Sequence, residues 1–381
     1  MSDSTTTIKL LLATGLYPPE IGGPATYARM LEELLPTHQY ELTVLPYGTV
    51  RHLPKVARHL AYAYAVYKAS KGADVIYALD PVSVGLPAWF VSILRRKPFV
   101  VRLGGDYAWE QGQQRFGLTA NLDDYTANRS VARLPVRLLA MVQGFVVRRA
   151  KRVVVPSEYL KSIVATWGVS ETQLRVVYSA LFPLSVSDPK ATLREQLSFE
   201  DFVITSVGRL VPWKGFSALI NVVKKITDEG QTVSLVIAGD GPDEEKLKLQ
   251  IKELELEEHV RLVGRLGKDA LGAILKASDV FVLNTSYEGL SHQLLEVMDL
   301  SVPIITTNIG GNPELVTDGV SGLMVDFNDE VALEQAINRL IANEDLRQRL
   351  VQNARVRTHD FSQEVVVEKL ANLIRTEVVT K

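Results

Sequence analysis

Residues 280–298 read VFVLNTSYEGLSHQLLEVM. Val280–Leu283 is a short apolar run of the kind a buried parallel strand requires, Asn284–Tyr287 is polar and reads as a loop, and Leu290–Met298 starts a helix. Strand, loop and helix in so short a space form the unit from which helix-covered parallel sheets are built. The same order recurs around it. Phe202–Val207, Ser234–Ala238, Val260–Val263, Pro303–Thr306 and Gly322–Val325 are apolar runs separated by helical stretches. Upstream, Ile8–Ala13, Leu42–Leu45, Val75–Ala78, Phe99–Leu103 and Val153–Val155 run the same design a first time, with a helix beginning near Pro24. Between the two sets, Leu181–Lys190 (LFPLSVSDPK) breaks the pattern with two prolines and reads as the linker. The expectation is an α/β chain of two parallel-sheet domains, 1–185 and 186–360, followed by a C-terminal helix within 361–381 that packs back toward the first domain. Two facing sheets of this type place a ligand in the cleft beyond the carboxyl ends of their strands.

Composition narrows the class. The 381 residues are 46% apolar and 23% charged, the balance of a globular protein, which removes disordered and fibrous classes. There is no cysteine, so thiol nucleophiles, disulfides and Cys-ligated zinc are excluded, in agreement with a reducing compartment. The net charge of −2 gives no bias toward nucleic acid. The halves differ: residues 1–188 hold 21 Lys+Arg against 14 Asp+Glu, or +7, and the remainder 21 against 30, or −9. MSDSTTT carries no basic n-region and Leu10–Ala13 is too short for a signal core, so no export and a cytoplasmic location are expected. No window reaches the ~18 apolar residues of a spanning helix. Leu138–Val147, the nearest, is interrupted by Gln143, which leaves a peripheral membrane contact open.

Five segments at strand ends carry candidate chemistry, each with a plain alternative. In YPPEIGGPATY (Tyr17–Tyr27), Gly22 and Gly23 can bring backbone amides to a phosphate, or simply make the turn into a helix. In SVGRLVPWKGF (Ser206–Phe216), Arg209 and Lys214 can hold a diphosphate, or stand as solvated cations. AGDGP (Ala238–Pro242) can line a ligand, though turn chemistry accounts for it. In EGLSHQLLE, Glu288 falls in the loop and Glu296 about two turns into the helix; carboxylates accept well from vicinal hydroxyls, and helix capping or solvent pairing explains them equally. TTNIGGNPE (Thr306–Glu314) repeats the Gly-Gly design.

Their order in one chain resembles the retaining glycosyltransferases of the GT-B fold, family four, glycosyltransferase group one. The resemblance covers nearly the whole chain: YPPEIGGPATYARML, VGRLVPWKG, LVIAGDGP, VRLVGRL, DVFVLNTSYEGLSHQLLEVM and PIITTNIGGNPELVTDGVSGLMV. It implies two Rossmann-like domains facing each other across a cleft. It implies Gly22 and Gly23 near the donor diphosphate and sugar, Arg209 and Lys214 neutralising the diphosphate as it leaves, Glu296 on the ribose hydroxyls and Glu288 on the donor sugar. Gly208, Arg265 within the Gly264–Leu266 backbone, and the Gly289-Leu290-Ser291 amides complete the nucleotide side. Many members place a His after the strand equivalent to Phe99–Leu103. Here the segment reads VRLGGDYAWE, so Asp106 is the nearest catalytic candidate on the acceptor side and Arg102 a further one.

The implied reaction moves a sugar from a UDP- or GDP-linked donor to an acceptor hydroxyl with its anomeric configuration kept. No cofactor is implied beyond the nucleotide diphosphate sugar as co-substrate. No metal is implied either, since no D-x-D motif stands in a suitable loop and two cations can do that work. The family's first domain receives the acceptor, here a glycan or a lipid-linked molecule. Basic clusters at Arg51, Lys55 and Arg58, at Arg95, Arg96 and Lys97, and at Arg148, Arg149, Lys151 and Arg152 can touch an anionic membrane surface, or lie on solvated helix faces. Two other readings stay open: a nucleotide-sugar epimerase on the same fold, and a nucleotide-sugar-binding protein without turnover.

Overall fold

The structure, a computed structural model, describes residues 7–20 and 22–379, and their side chains except those of Lys55 and Val56. Two sheets of six parallel strands organise it. The first contains β1 (Ile8–Thr14), β2 (Tyr40–Pro46), β3 (Val75–Ala78), β4 (Phe99–Arg102), β5 (Arg152–Val155) and β6 (Leu174–Val176), in the order β2-β1-β3-β4-β5-β6. The second contains β7 (Phe202–Val207), β8 (Val233–Ala238), β9 (Val260–Gly264), β10 (Val280–Leu283), β11 (Ile304–Thr307) and β12 (Leu323–Val325), in the order β12-β11-β10-β7-β8-β9. The chain starts next to the edge of the first sheet and near the middle of the second, and in each it reverses its direction of travel, between β1 and β3 in one and between β7 and β10 in the other. Crevices form at such reversals, because the loops leaving neighbouring strands there turn to opposite faces of the sheet.

The chain divides into two compact units. One runs to Ala180 and includes the residues from Gln363 onward; the other is Leu181–Ser362. The expected linker, Leu181–Lys190, thus lies at the start of the second unit. Helix Gln363–Leu373 joins the first unit, where the Tyr40 hydroxyl donates to the Ala371 carbonyl over 2.6 Å and Arg375 donates to the His38 carbonyl over 2.8 Å. Strand burial explains the unbroken apolar runs. Leu10, Leu11 and Leu12 are all buried, as are Val153, Val154 and Val155, because helices cover both faces of a parallel sheet. In the second unit the alternation is visible in which core each residue joins: Ile204, Leu235 and Ile237 pack on one face, Val203 and Val236 on the other.

The third basic cluster is largely consumed internally. Arg152 pairs with Glu377, Lys151 donates to the Val378 carbonyl over 2.6 Å, and Arg148 donates to the Trp167 carbonyl over 2.8 Å. Arg51 of the first cluster pairs with Glu20 and donates to the Gly15 carbonyl. The Lys55 side chain lies outside the described residues. No helix among the described residues is long and apolar enough to cross a membrane.

Candidate functional site

Five loops meet at the carboxyl edge of the second sheet, and glycines let their backbones interlock. Gly239 has φ +146°, and a Cβ there would stand 1.8 Å from the Gly208 carbonyl oxygen. Gly310, at φ +61°, comes nearly as close to Glu288, with 2.1 Å between an added Cβ and the Glu288 carbonyl oxygen. Any side chain at either position both collides and strains its backbone. Amides complete the ladder. Gly239 donates to Gly264, Gly208 to Ala238, Leu210 to Asp240, Ser286 to Trp213 and Gly311 to Glu288, each over 2.8–3.0 Å. Asn284 is the central tie: its amide donates to the Gly215 carbonyl and to Asn328, and its oxygen accepts from the Asn328 amide.

The charged groups sit on this frame. Lys214, in the loop after β7, forms an ion pair with Glu288, in the loop after β10, across the reversal of strand order. The two side chains are only 13% and 17% exposed. The sequence expectation gave each its own ligand group; in the structure they hold one another. Arg209 is exposed and has no partner among the described residues. Gly289, Leu290 and Ser291 lead into helix His292–Asp299, and their N–H groups find no acceptor among the described residues. Free amides at a helix start, directly after the residue that pairs with Lys214, form a ready cradle for an anion. Ser291 also caps that helix, its hydroxyl accepting from the Leu294 amide over 3.3 Å.

Because the helix begins at His292, Glu296 lies little more than one turn inside it, closer to the loop than the expected two turns. Its carboxylate makes no hydrogen bond or ion pair among the described residues, and burial pushes its pKa up to about 7, opposed by the Lys268 charge. A half-buried carboxylate of this kind accepts well from a hydroxyl-bearing ligand. Arg265 and Gly208 flank the same edge, Arg265 exposed and Gly208 at φ +158°.

In the first unit, Gly22 precedes helix Gly23–Leu34, which has no side-chain cap, and the position beside Gly23 is open: an added Cβ meets nothing within 4 Å. Asp106 does not have the role expected of it. It is fully buried and caps helix Tyr107–Arg115, accepting from the Trp109 amide over 3.0 Å and from Gln143 over 3.0 Å. A carboxylate so enclosed cannot meet an acceptor, and burial raises its pKa. Arg102 is likewise buried, donating to the Val177 carbonyl and stacking 4.1 Å from the Tyr27 ring centroid. Sequence reasoning passed over Asp80, which follows β3 at the reversal of the first sheet. It accepts from the amides of Val82, Ser83 and Val84 and sits against Gly15. An acid directly after an apolar run (VIYALD) was the available signal.

Comparison with known proteins agrees with this division. Residues 189–357 match the family model of the glycosyl transferases group 1, and residues 19–180 that of a glycosyl transferase 4-like domain. The chain is 36% identical over 162 residues to the lipopolysaccharide core biosynthesis glycosyltransferase LpsD of Rhizobium meliloti, covering 42% of this chain and 46% of that one. It is 33% identical over 182 residues to the putative colanic acid biosynthesis glycosyltransferase WcaL of Escherichia coli, covering 45% and 44%. These alignments span less than half the length of either relative. The crystal structure of Anabaena HepE in complex with UDP superimposes with a TM-score of 0.76 at 18% identity, over 97% of this chain and all of that one, and establishes the GT-B fold.

Proposed function

Since the chain belongs to the glycosyl transferases group 1, we propose that it moves a sugar, with its configuration retained, from a UDP- or GDP-linked donor to an acceptor hydroxyl. The observation that carries this reading is the Lys214–Glu288 pair at the strand reversal, with Arg209, in the same loop after β7, unpaired among the described residues. Departure of a nucleotide diphosphate builds negative charge, and preorganised donors lower that barrier without reorganising. Arg209, Lys214 and the Gly289–Ser291 amides are those donors. On this reading the donor sugar's hydroxyls take over Glu288 and release Lys214 to the diphosphate, while Glu296 accepts from the ribose diol. Arg265 and the backbone from Gly264 to Leu266 contact the base. These groups carry the charge, so we read the transfer as metal-independent.

The acceptor is a glycan or lipid-linked molecule in cell-envelope polysaccharide synthesis, bound by the first unit past the open position at Gly23, with the protein at the inner face of the membrane. Relatives named for lipopolysaccharide and colanic acid synthesis support this choice of class. One observation favours the alternative of nucleotide-sugar binding without turnover: Asp106, the candidate for the absent His, is spent on a helix cap. Donor consumption separates the two. We expect UDP- or GDP-sugars to raise Tm and to be turned over with acceptor or slowly with water, and Lys214→Ala to lower kcat by ~10²–10³. Firm binding with no consumption of any donor selects the alternative. No binding of any nucleotide sugar overturns both.

A further inference from the structure

Large apolar side chains stand exposed at fourteen described positions, and ten of them lie between Leu60 and Met141. Nine of these ten belong to three helices. Leu60, Tyr64 and Tyr67 lie on Lys55–Ala69, Phe90, Ile93 and Leu94 on Gly85–Arg95, and Leu134, Leu138 and Met141 on Leu134–Val147. Spacings of three and four residues put each set on one stripe of its helix. Aromatic and guanidinium contacts join the stripes. The Arg95 guanidinium lies 3.6 Å from the Tyr67 ring centroid and donates to the Tyr67 carbonyl, linking the first helix to the second. Trp89 and Phe145 meet edge-on at 4.8 Å, with Arg149 stacked 3.7 Å from Phe145, linking the second to the third.

The charge on these three helices has one sign. The three helices contain no Asp or Glu. Ion pairs of the first unit are made by Lys9, Arg29, Arg51, Arg152, Lys161 and Arg175. Arg58, Lys68, Arg95 and Arg137 have none among the described residues. On the third helix a groove of about 300 Å³ is lined by Leu134, Leu138, Ala140 and Met141 together with Arg129 and Arg137, an apolar floor with two guanidinium groups.

We propose that this three-helix face docks on the surface of a bilayer containing anionic lipids, its apolar stripes reaching the acyl boundary and its cations lying among the headgroups. Apolar side chains with a purely cationic accompaniment are the pattern of an interfacial, not a spanning, contact. A second copy of the chain is a poorer occupant, since a two-fold contact would set these cations against each other. The inference rests on the proposed function only for its purpose, bringing the enzyme to a lipid-linked acceptor. It also replaces part of the sequence expectation: the apolar stripes of three helices, not the Lys151–Arg152 cluster, make the contact.

Vesicle flotation of the full chain tests it, using phosphatidylcholine with and without phosphatidylglycerol. We expect binding to the anionic vesicles, weakened by salt, and a loss of about tenfold or more in Phe90→Ser/Leu94→Ser and in Leu134→Ser/Met141→Ser. These residues are exposed, so the variants keep the wild-type melting profile and the nucleotide-induced rise in Tm. Brominated lipid should quench the wild-type tryptophan emission, with much of the quenching lost in Trp89→Phe. No binding to anionic vesicles overturns the proposal, as does binding indifferent to the apolar substitutions. A wild-type dimer that the same substitutions dissociate, without vesicle binding, identifies a second copy as the occupant and also overturns it. Flotation without any nucleotide response would instead refute the donor reading and leave this face intact.

Discussion

Glu296 is the residue whose environment makes the sharpest demand. The fold favours its protonated form, so its contribution to stability is present below the ordinary carboxylate range and is lost as pH rises through about 7. A ribose diol donating to the carboxylate favours the charged form instead and pulls the pKa down. Nucleotide binding between pH 6 and 7 should therefore release a proton, and affinity should fall as pH drops below about 7. Titration calorimetry in buffers of different ionisation enthalpy measures that release, and Glu296→Gln should abolish it. Lys214 and Glu288 make a different demand. Removing either leaves the other nearly enclosed and uncompensated, at a cost of about 1–3 kcal/mol, so Glu288→Ala should lower Tm in the absence of ligand. An unchanged melting profile would mean that the pair is not formed in solution.

At the scale of elements, the second sheet's loops act as one body because glycine permits approaches that no other residue allows. Gly239→Ala and Gly310→Ala should each cost at least about 2 kcal/mol, read by denaturant unfolding, through collisions with the Gly208 and Glu288 carbonyls. Gly23→Ala, with nothing near its added methyl, should leave stability almost unchanged and serve as the control. Much of this layer was legible in the sequence. Val75–Ala78, Phe202–Val207 and Val280–Leu283 are strands at the expected residues, since a strand buried on both faces must be continuously apolar. The three-residue β6 (Leu174–Val176) escaped, because Arg175 interrupts a run already too short to show a period. Site geometry was less legible. Spacing places Arg209, Lys214, Glu288 and Glu296 at one sheet edge but cannot say that Lys214 pairs with Glu288, a contact between residues 74 apart. Asp106 misled for a related reason: an acid after a strand is written identically whether it caps a helix or faces a ligand. A membrane contact was legible only as basic clusters, because the apolar stripes of the three helices are spaced three and four residues apart and form no continuous run.

The two units carry separate cores, so ligand effects should divide between them. A nucleotide held by Arg209, Lys214 and Glu296 should slow hydrogen exchange in Leu181–Ser362 and leave the strands β1–β6 almost unaffected. Protection appearing first in β1–β6 would contradict the donor assignment. The C-terminal segment belongs to the first unit through Glu377, whose carboxylate is held below its ordinary pKa by Arg175 and, after burial is set against it, by Arg152. That contribution is present at neutral pH and fades as acid protonates the group. Glu377→Ala should cost about 1 kcal/mol at pH 7 and progressively less toward pH 4, by thermal melting. Because Gln363–Leu373 closes a unit that began at β1, the polypeptide order and the order of completion run opposite ways. A ribosome releases every residue of Leu181–Ser362 before the helix that finishes the earlier unit, so the part that starts first is the last able to reach its native state, and until then the surface beside Tyr40 waits uncovered.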